Sequence, residues 1–353
     1  MKRIAIALSV TLLALSRNES AATEIAPGHR IELPRDAGSH PAFRTEWWYL
    51  TGSLIDEHGT HRGFQVTFFR SRNQAADANP SAFAPKQILF AHAAVSDPSL
   101  KKLLRAERTA RAGFGLAEAA EQELNVFVDR WSLRDDGQNI HANIVGAEFA
   151  LELTLTQTQP IMLNGENGYS RKSTSQSAAS YYYSLPQLRV EGSITVQGRK
   201  ILATGSAWFD HEWSDTYVDA QTSGWDWIGI NFDNGDALMA FRMRDLHGGS
   251  SWSNATWRKA IRTSTIAPKD ISWTPIQHWR SPRTGVDYPV AWRIRVGALE
   301  FTLRPLMSDQ ESDARGSVGI LYWEGAVEVF DAKEKSIGDG YLELTGYGEP
   351  VQL

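Results

Sequence analysis

The chain contains no cysteine, which excludes disulfides, thiolate metal centres and a cysteine nucleophile. It has no Gly-x-Ser-x-Gly elbow, which argues against an ordinary α/β serine esterase. His211-Glu212 is followed by Trp213-Ser214-Asp215 rather than by a second histidine three residues on, and the zinc-protease pattern fails at that ligand. Neither a Gly-Lys-Ser/Thr phosphate loop nor a dinucleotide fingerprint occurs, so the motifs imply no cofactor and no resident metal. The formal net charge is only −5 over 353 residues, and no basic stripe is interleaved with aromatics, which argues against a nucleic-acid partner. Beyond the N-terminus no apolar run is long enough to span a bilayer as a helix.

The N-terminus itself reads as a secretory signal peptide: Lys2-Arg3, an apolar segment over residues 4–15, then Ser20 and Ala22 at signal-peptidase spacing. The expectation is cleavage near Ala22 and an exported product, periplasmic or secreted. Such a chain without disulfides relies on its core alone, and its length allows two domains or one large β-structure. The 13 tryptophans point to large aromatic walls, as barrel plugs or as the lining of a pocket for a lipophilic ligand.

Short alternating runs with Gly, Asp and Pro punctuation recur along the chain, while helical periodicity is scarce. This predicts an all-β protein of antiparallel barrels or sandwiches. The exception is the stretch over residues 100–119, where Lys101, Lys102, Arg105, Arg108 and Arg111 lie in an Ala- and Leu-rich background. It reads as a short helix and loop with a solvated basic face, one that can also touch anionic lipid. Residues 170–180 read as a Ser-rich, mobile loop. Residues 216–223 form a polar link and a domain boundary, and a Trp-rich hairpin opens each half, at Trp47-Trp48 and at Trp225 and Trp227.

The run from Ala207 to Trp213 concentrates candidate chemistry. Read as a strand, it places His211 and Trp213 on the face of Ala203, Ala207 and Phe209, with Asp210 and Glu212 opposite. His211 beside an indole on an apolar face is either a proton donor in a pocket or a satisfied core group. Glu46 shares a face with Trp48 and Leu50 and calls for an arginine, Arg44 or Arg70. His92 is a second acid or base, or a core histidine. Tyr181, Tyr182 and Tyr183 cannot all face one way. Asp226 falls on the face of Ile228 and Ile230, where a carboxylate is costly unless paired or protonated.

Seven ordered segments, among them Thr45-Glu46-Trp47-Trp48-Tyr49, Asp210-His211-Glu212-Trp213, Gly224-Trp225-Asp226-Trp227 and Tyr322-Trp323-Glu324-Gly325, resemble the AttH-like branch of the carotenoid 1,2-hydratase (CrtC) family. The resemblance covers about His40 to Tyr347. It implies two lipocalin-like antiparallel β-barrels packed together, here at residues 23–215 and 216–353 after the signal peptide at 1–22. Members of this branch are described as lipocalin-like proteins, secreted hydrolases or soluble companions of an AttEFGH-type ABC transporter. The implied function is binding of a lipid or isoprenoid, with cofactor-independent hydration of a C=C bond, or hydrolysis, as the alternative. His211 and Trp213 match the family's His-x-Trp element, and His211 with Asp226 would be the acid/base pair. Trp213, Trp225, Trp227, Tyr182, Trp48, His92 and Phe241 would contact the ligand. The family's aromatic-x-Asp element is not matched at Phe241-Arg242-Met243.

Overall fold

The computed structural model describes residues 25–351. The signal-peptide segment lies outside the described residues. Two antiparallel sheets make up nearly all of the regular structure, one of 13 strands and one of 10. The first runs from Lys102–Arg111 through Gln87–Asp97, His61–Arg72 and Thr45–Asp56 to Arg199–Thr216, and on through Ala179–Val196 and Phe149–Thr156 to Ala117–Ala119. It curls until Lys102–Arg111 touches Asn125–Val128, which nearly closes a barrel. The second sheet is centred on Ser336–Thr345, with Thr222–Phe232 beside it, and curls likewise, bringing Ser250–Lys259 against Ile271–Arg280. The first sheet's strands end at Thr216 and the second's begin at Thr222.

Alternation of side chains builds each interior. Phe149–Thr156 buries every second residue, Phe149, Leu151, Leu153 and Leu155. One core holds these with Trp48, Leu50, Phe209, Trp131 and Trp213. A second core, inside the second barrel, holds Ile228, Ile230, Trp292, Trp323 and Leu342. A third apolar cluster belongs to neither interior: Tyr49, Tyr182, Trp208, Trp227, Met239, Phe241 and Tyr341 come from the outer faces of both sheets and form the seam between them. At Gly63 an added Cβ would stand 2.6 Å from the Ala326 Cβ, so small residues let the sheets approach there.

The basic stretch expected as a helix is instead the edge strand Lys102–Arg111, paired in register with Gln87–Asp97. Its charges suit an edge, where lysine and arginine discourage further pairing. The Ser-rich stretch is shorter as a loop than expected, since Ala179 already starts a strand and Lys172 and Ser173 are buried.

Candidate functional site

The strand Arg199–Thr216 lies between Thr45–Asp56 and Ala179–Val196, and its alternation sorts the chemistry. Trp208, Asp210 and Glu212 face the seam, while Phe209, His211 and Trp213 face the first barrel's interior. The neighbours follow by register: Tyr49 opposes Asp210, Trp47 opposes Glu212, and on the other side Ser184 and Tyr182 oppose the same two acids. From the second sheet, Glu343 pairs with Trp227 on one side and with Glu324 on the other.

These residues enclose a cavity of about 300 Å³ in the seam. Trp47, Phe69, Phe90, Trp225 and Trp227 supply apolar wall, and Asp210, Glu212, Glu324 and Glu343 supply four carboxyl groups. Asp210, Glu212 and Glu324 are buried and Glu343 is half-buried, and loss of water raises each of them.

Asp210 has the most defined surroundings. Trp208 Nε1 and Ser184 Oγ donate to its Oδ1 at 2.7 and 2.5 Å, and the Tyr182 hydroxyl donates to its Oδ2 at 2.6 Å. Tyr182 itself receives Trp227 Nε1 at 2.9 Å. An indole N–H only donates, so the chain Trp227 to Tyr182 to Asp210 has one direction. Oδ2, with a single donor, is the oxygen left with room for a proton. Burial pushes the Asp210 carboxyl up to about 7, against the pull of those donors.

Glu212 sits beside Lys172, whose Nζ lies 2.6 Å from Oε1. Burial lowers the lysine and raises the glutamate, while their mutual attraction opposes both shifts. Geometry decides for the charged pair: Nζ stands 4.3, 4.8 and 5.0 Å from the ring centroids of Phe241, Tyr217 and Tyr182, a cage that stabilises an ammonium. Across the cavity Glu324 and Glu343 are cross-strand neighbours. Burial pushes Glu324 up to about 8, and burial with the Glu324 charge lifts Glu343 well above its ordinary range. Glu324 Oε1 and the nearby Tyr49 hydroxyl are both buried and close no hydrogen bond within the described structure.

The structure distributes the sequence-predicted site residues among three places. Trp225, Trp227, Tyr182 and His92 line the cavity; Phe241 lies behind it, against Lys172. His92 bonds the Tyr322 hydroxyl and Ser317 Oγ, each at 2.9 Å, and burial, with the Arg105 charge, lowers it to about 4. His211, Trp213 and Trp48 are inside the first barrel. There His211 Nε2 meets Glu46 Oε1 at 3.0 Å and Nδ1 meets the Asp36 carbonyl at 3.0 Å, with Trp48 stacked 4.9 Å away. Asp226 is inside the second barrel, bound by Arg242 at 2.5 Å and by the Tyr347 hydroxyl at 3.0 Å, with Arg244 at 3.3 Å. His211 and Asp226 therefore do not meet, and neither lines the cavity.

His40, Glu46 and His211 bring three potential metal-ligand atoms within 4.8 Å of one another. Their contacts are hydrogen bonds, however: His40 Nδ1 and His211 Nε2 share Glu46 Oε1, and Arg70 Nε takes Oε2 at 2.7 Å. A divalent ion there would place more positive charge beside a buried guanidinium, so the donor set fits a proton better than a metal. Of the arginines offered to Glu46, Arg70 is the one that binds. Burial raises the Glu46 carboxyl, but hydrogen bonds from His211 and His40 and the Arg70 charge outweigh it and hold the group well below the usual range.

The cavity acids were within reach of the sequence. Period-2 counting puts Asp210 and Glu212 opposite His211, and Glu324 and Glu343 lie in the aromatic strands near the C-terminus. Lys172 carried no signal, since it lies in the Ser-rich stretch.

Two lipocalin-like antiparallel barrels, packed outer face to outer face around an aromatic, carboxyl-lined cavity, define the class of this protein. Within that class the chain belongs to the AttH-like family, whose model matches residues 24–347. A candidate AttH from Nitrosomonas europaea of known crystal structure is 44% identical, with 92% of this chain and 99% of that one covered and a TM-score of 0.86. Kievitone hydratase from Nectria haematococca superposes with a TM-score of 0.68 at 16% identity, over 94% of this chain and 95% of its own. CghA bound to Sch210972 gives a TM-score of 0.50 at 12% identity, over 86% and 89%. At the last two identities the likeness is one of fold. No curated protein matches the chain.

Proposed function

We propose that the seam cavity takes up a lipophilic small molecule carrying an alkene, and that the protein adds water to it, or removes water, by acid–base chemistry without a cofactor. The observation that carries this reading is the division of labour among the cavity acids. Asp210, Glu324 and Glu343 are pushed toward their protonated forms, while caged Lys172 holds Glu212 as a carboxylate. A carrier of apolar cargo gains nothing from four carboxyl groups around its cavity, three of them buried, since each costs solvation. In the proposed reaction the Asp210 proton goes to an alkene carbon, and the indole faces of Trp225 and Trp227 stabilise the cation that forms. A water molecule then bonds to the cationic carbon and gives its proton to Glu212, about 7 Å along the strand from Asp210 at two residues' rise. Proton return from Glu212 to Asp210 completes the cycle. The fold shared with a hydratase supports the reading.

Export, and work beside an ABC transporter, belong to the same proposal; the N-terminal segment supports the first and family resemblance the second. The test is extraction of the protein purified from its own cells grown with oxygen-18 water, wild type beside Asp210→Asn. A retained product that is one labelled water heavier than the species held by the variant is expected. The same species in both would leave a carrier and overturn the hydro-lyase reading.

A further inference from the structure

One surface feature stands apart from the cavity's chemistry yet is continuous with its mouth. Phe83, Phe114 and Leu116 are 70%, 59% and 49% exposed. Phe83 comes from residues 73–86, which join two strands, and Phe114 from the turn after Lys102–Arg111. The two rings stack at 5.2 Å with 13° between their planes. Arg111 lies over both, 5.5 and 4.3 Å from their centroids, and also donates to the Phe83 carbonyl. Phe114 is held in the left-handed region at φ +59° between Gly113 and Gly115. A bulky side chain there is strained, and here the strain presents a ring to solvent.

Register ties this patch to the cavity. Phe69 and Phe90, both cavity-lining, are paired with each other, and Phe90 is paired with Thr109. The next row on that face is Ser71, Ile88 and Arg111, about 7 Å further along the strands. The patch is thus the outer lip of the mouth. Its flank is cationic: Arg44 lines the mouth, its carbonyl accepts the Arg72 N–H at 2.8 Å, and Lys86 accepts the Asn73 N–H across the same loop at 2.9 Å. Only Arg72 of these is neutralised, by Asp77 at 2.7 Å; Arg44, Lys86 and Arg111 form no ion pair among the described residues.

We propose that this lip is a docking surface for a bilayer carrying anionic lipid. Phe83, Phe114 and Leu116 enter the headgroup boundary, and Arg44, Lys86 and Arg111 meet the phosphates. Two exposed rings fit the acyl boundary and three unpaired cations fit its charge. A lipophilic ligand could then pass from lipid into the mouth without crossing water. Docking rests on the proposed function only for this purpose, since it is measured without any ligand.

The test uses the chain from Thr23 onward with vesicles of phosphatidylcholine alone or mixed with phosphatidylglycerol. Because the chain has no cysteine, single sites can be labelled with an environment-sensitive fluorophore, at Phe114→Cys and, as a distant control, at Ile261→Cys, which is 86% exposed. The expected result is a blue shift at position 114 and none at 261, with mixed vesicles, reversed by high salt. Phe83→Ser with Phe114→Ser, folded by circular dichroism, lowers partition roughly tenfold or more, and Arg111→Gln with Lys86→Gln does likewise. No shift at 114, equal shifts at both sites, or binding unchanged in both double variants would overturn the proposal. Oxygen-18 incorporation that persists while docking fails would leave the cavity reading standing alone.

Discussion

Asp210 shows how strongly a fixed donor chain constrains one side chain. Tyr182, Trp208 and Ser184 point hydrogen at it, and Trp227 fixes Tyr182 by donating to its hydroxyl, so its own proton has one free direction. Asp210→Asn is expected to keep ligand affinity within a few-fold and to lower turnover by about a hundredfold or more, read by mass spectrometry of product at fixed time. The buried acids also set a pH dependence. Glu324, raised from 4.5 to about 8, keeps a proton in the folded chain that the unfolded chain has already released. Its contribution is therefore full below about 4.5 and declines as pH rises toward 8. Glu324→Gln should raise the melting temperature at pH 8.5 by about 3 °C or more and have little effect at pH 4; an equal change at both would refute the protonated state. Face assignment at this scale was legible, since alternation separated His211 from Asp210. What alternation does not reveal is which face of a two-sided strand meets a ligand: the apolar face looked like the cavity and is the barrel core.

At the scale of elements, Arg70 and Glu46 join neighbouring strands inside the first barrel, with Arg70 also donating to the His40 and Phe43 carbonyls. Glu46→Ala leaves that guanidinium uncompensated and should cost about 3–5 kcal/mol in a urea titration. Between the barrels, Gly63→Leu has no room against Ala326 and should loosen the seam. The expected sign is a lower denaturation midpoint together with weaker ligand retention, whereas a leucine on an exposed strand face would alter neither. The strands themselves were legible from alternation and turn residues. Lys102–Arg111 was not, because alanine, leucine and arginine favour helices locally, while its pairing partner Gln87–Asp97 is a tertiary fact that overrides local preference. Lys172 was missed for a related reason. A lysine among serines looks solvated, and its aromatic cage comes from two separate strands, through Tyr182 and Phe241, and from Tyr217 in the link between the sheets.

On the scale of the whole molecule, the seam cluster of Tyr49, Tyr182, Trp208, Trp227 and Phe241 makes each barrel cover the other. Thermal unfolding should proceed in one transition, with tryptophan fluorescence and far-ultraviolet signals coincident. A fragment ending at residue 219 should self-associate in sedimentation, since it would expose its half of that cluster. Because the cavity is built from outward positions and the two cores from inward ones, parity along a strand separates what the protein does from what keeps it folded. Substitutions at Trp47, Phe69 or Trp225 can reshape the pocket without entering either core. Descendants of such a scaffold are free to change ligands by drift on one set of alternate residues, and laboratory selection for a new substrate can confine its library to the same set.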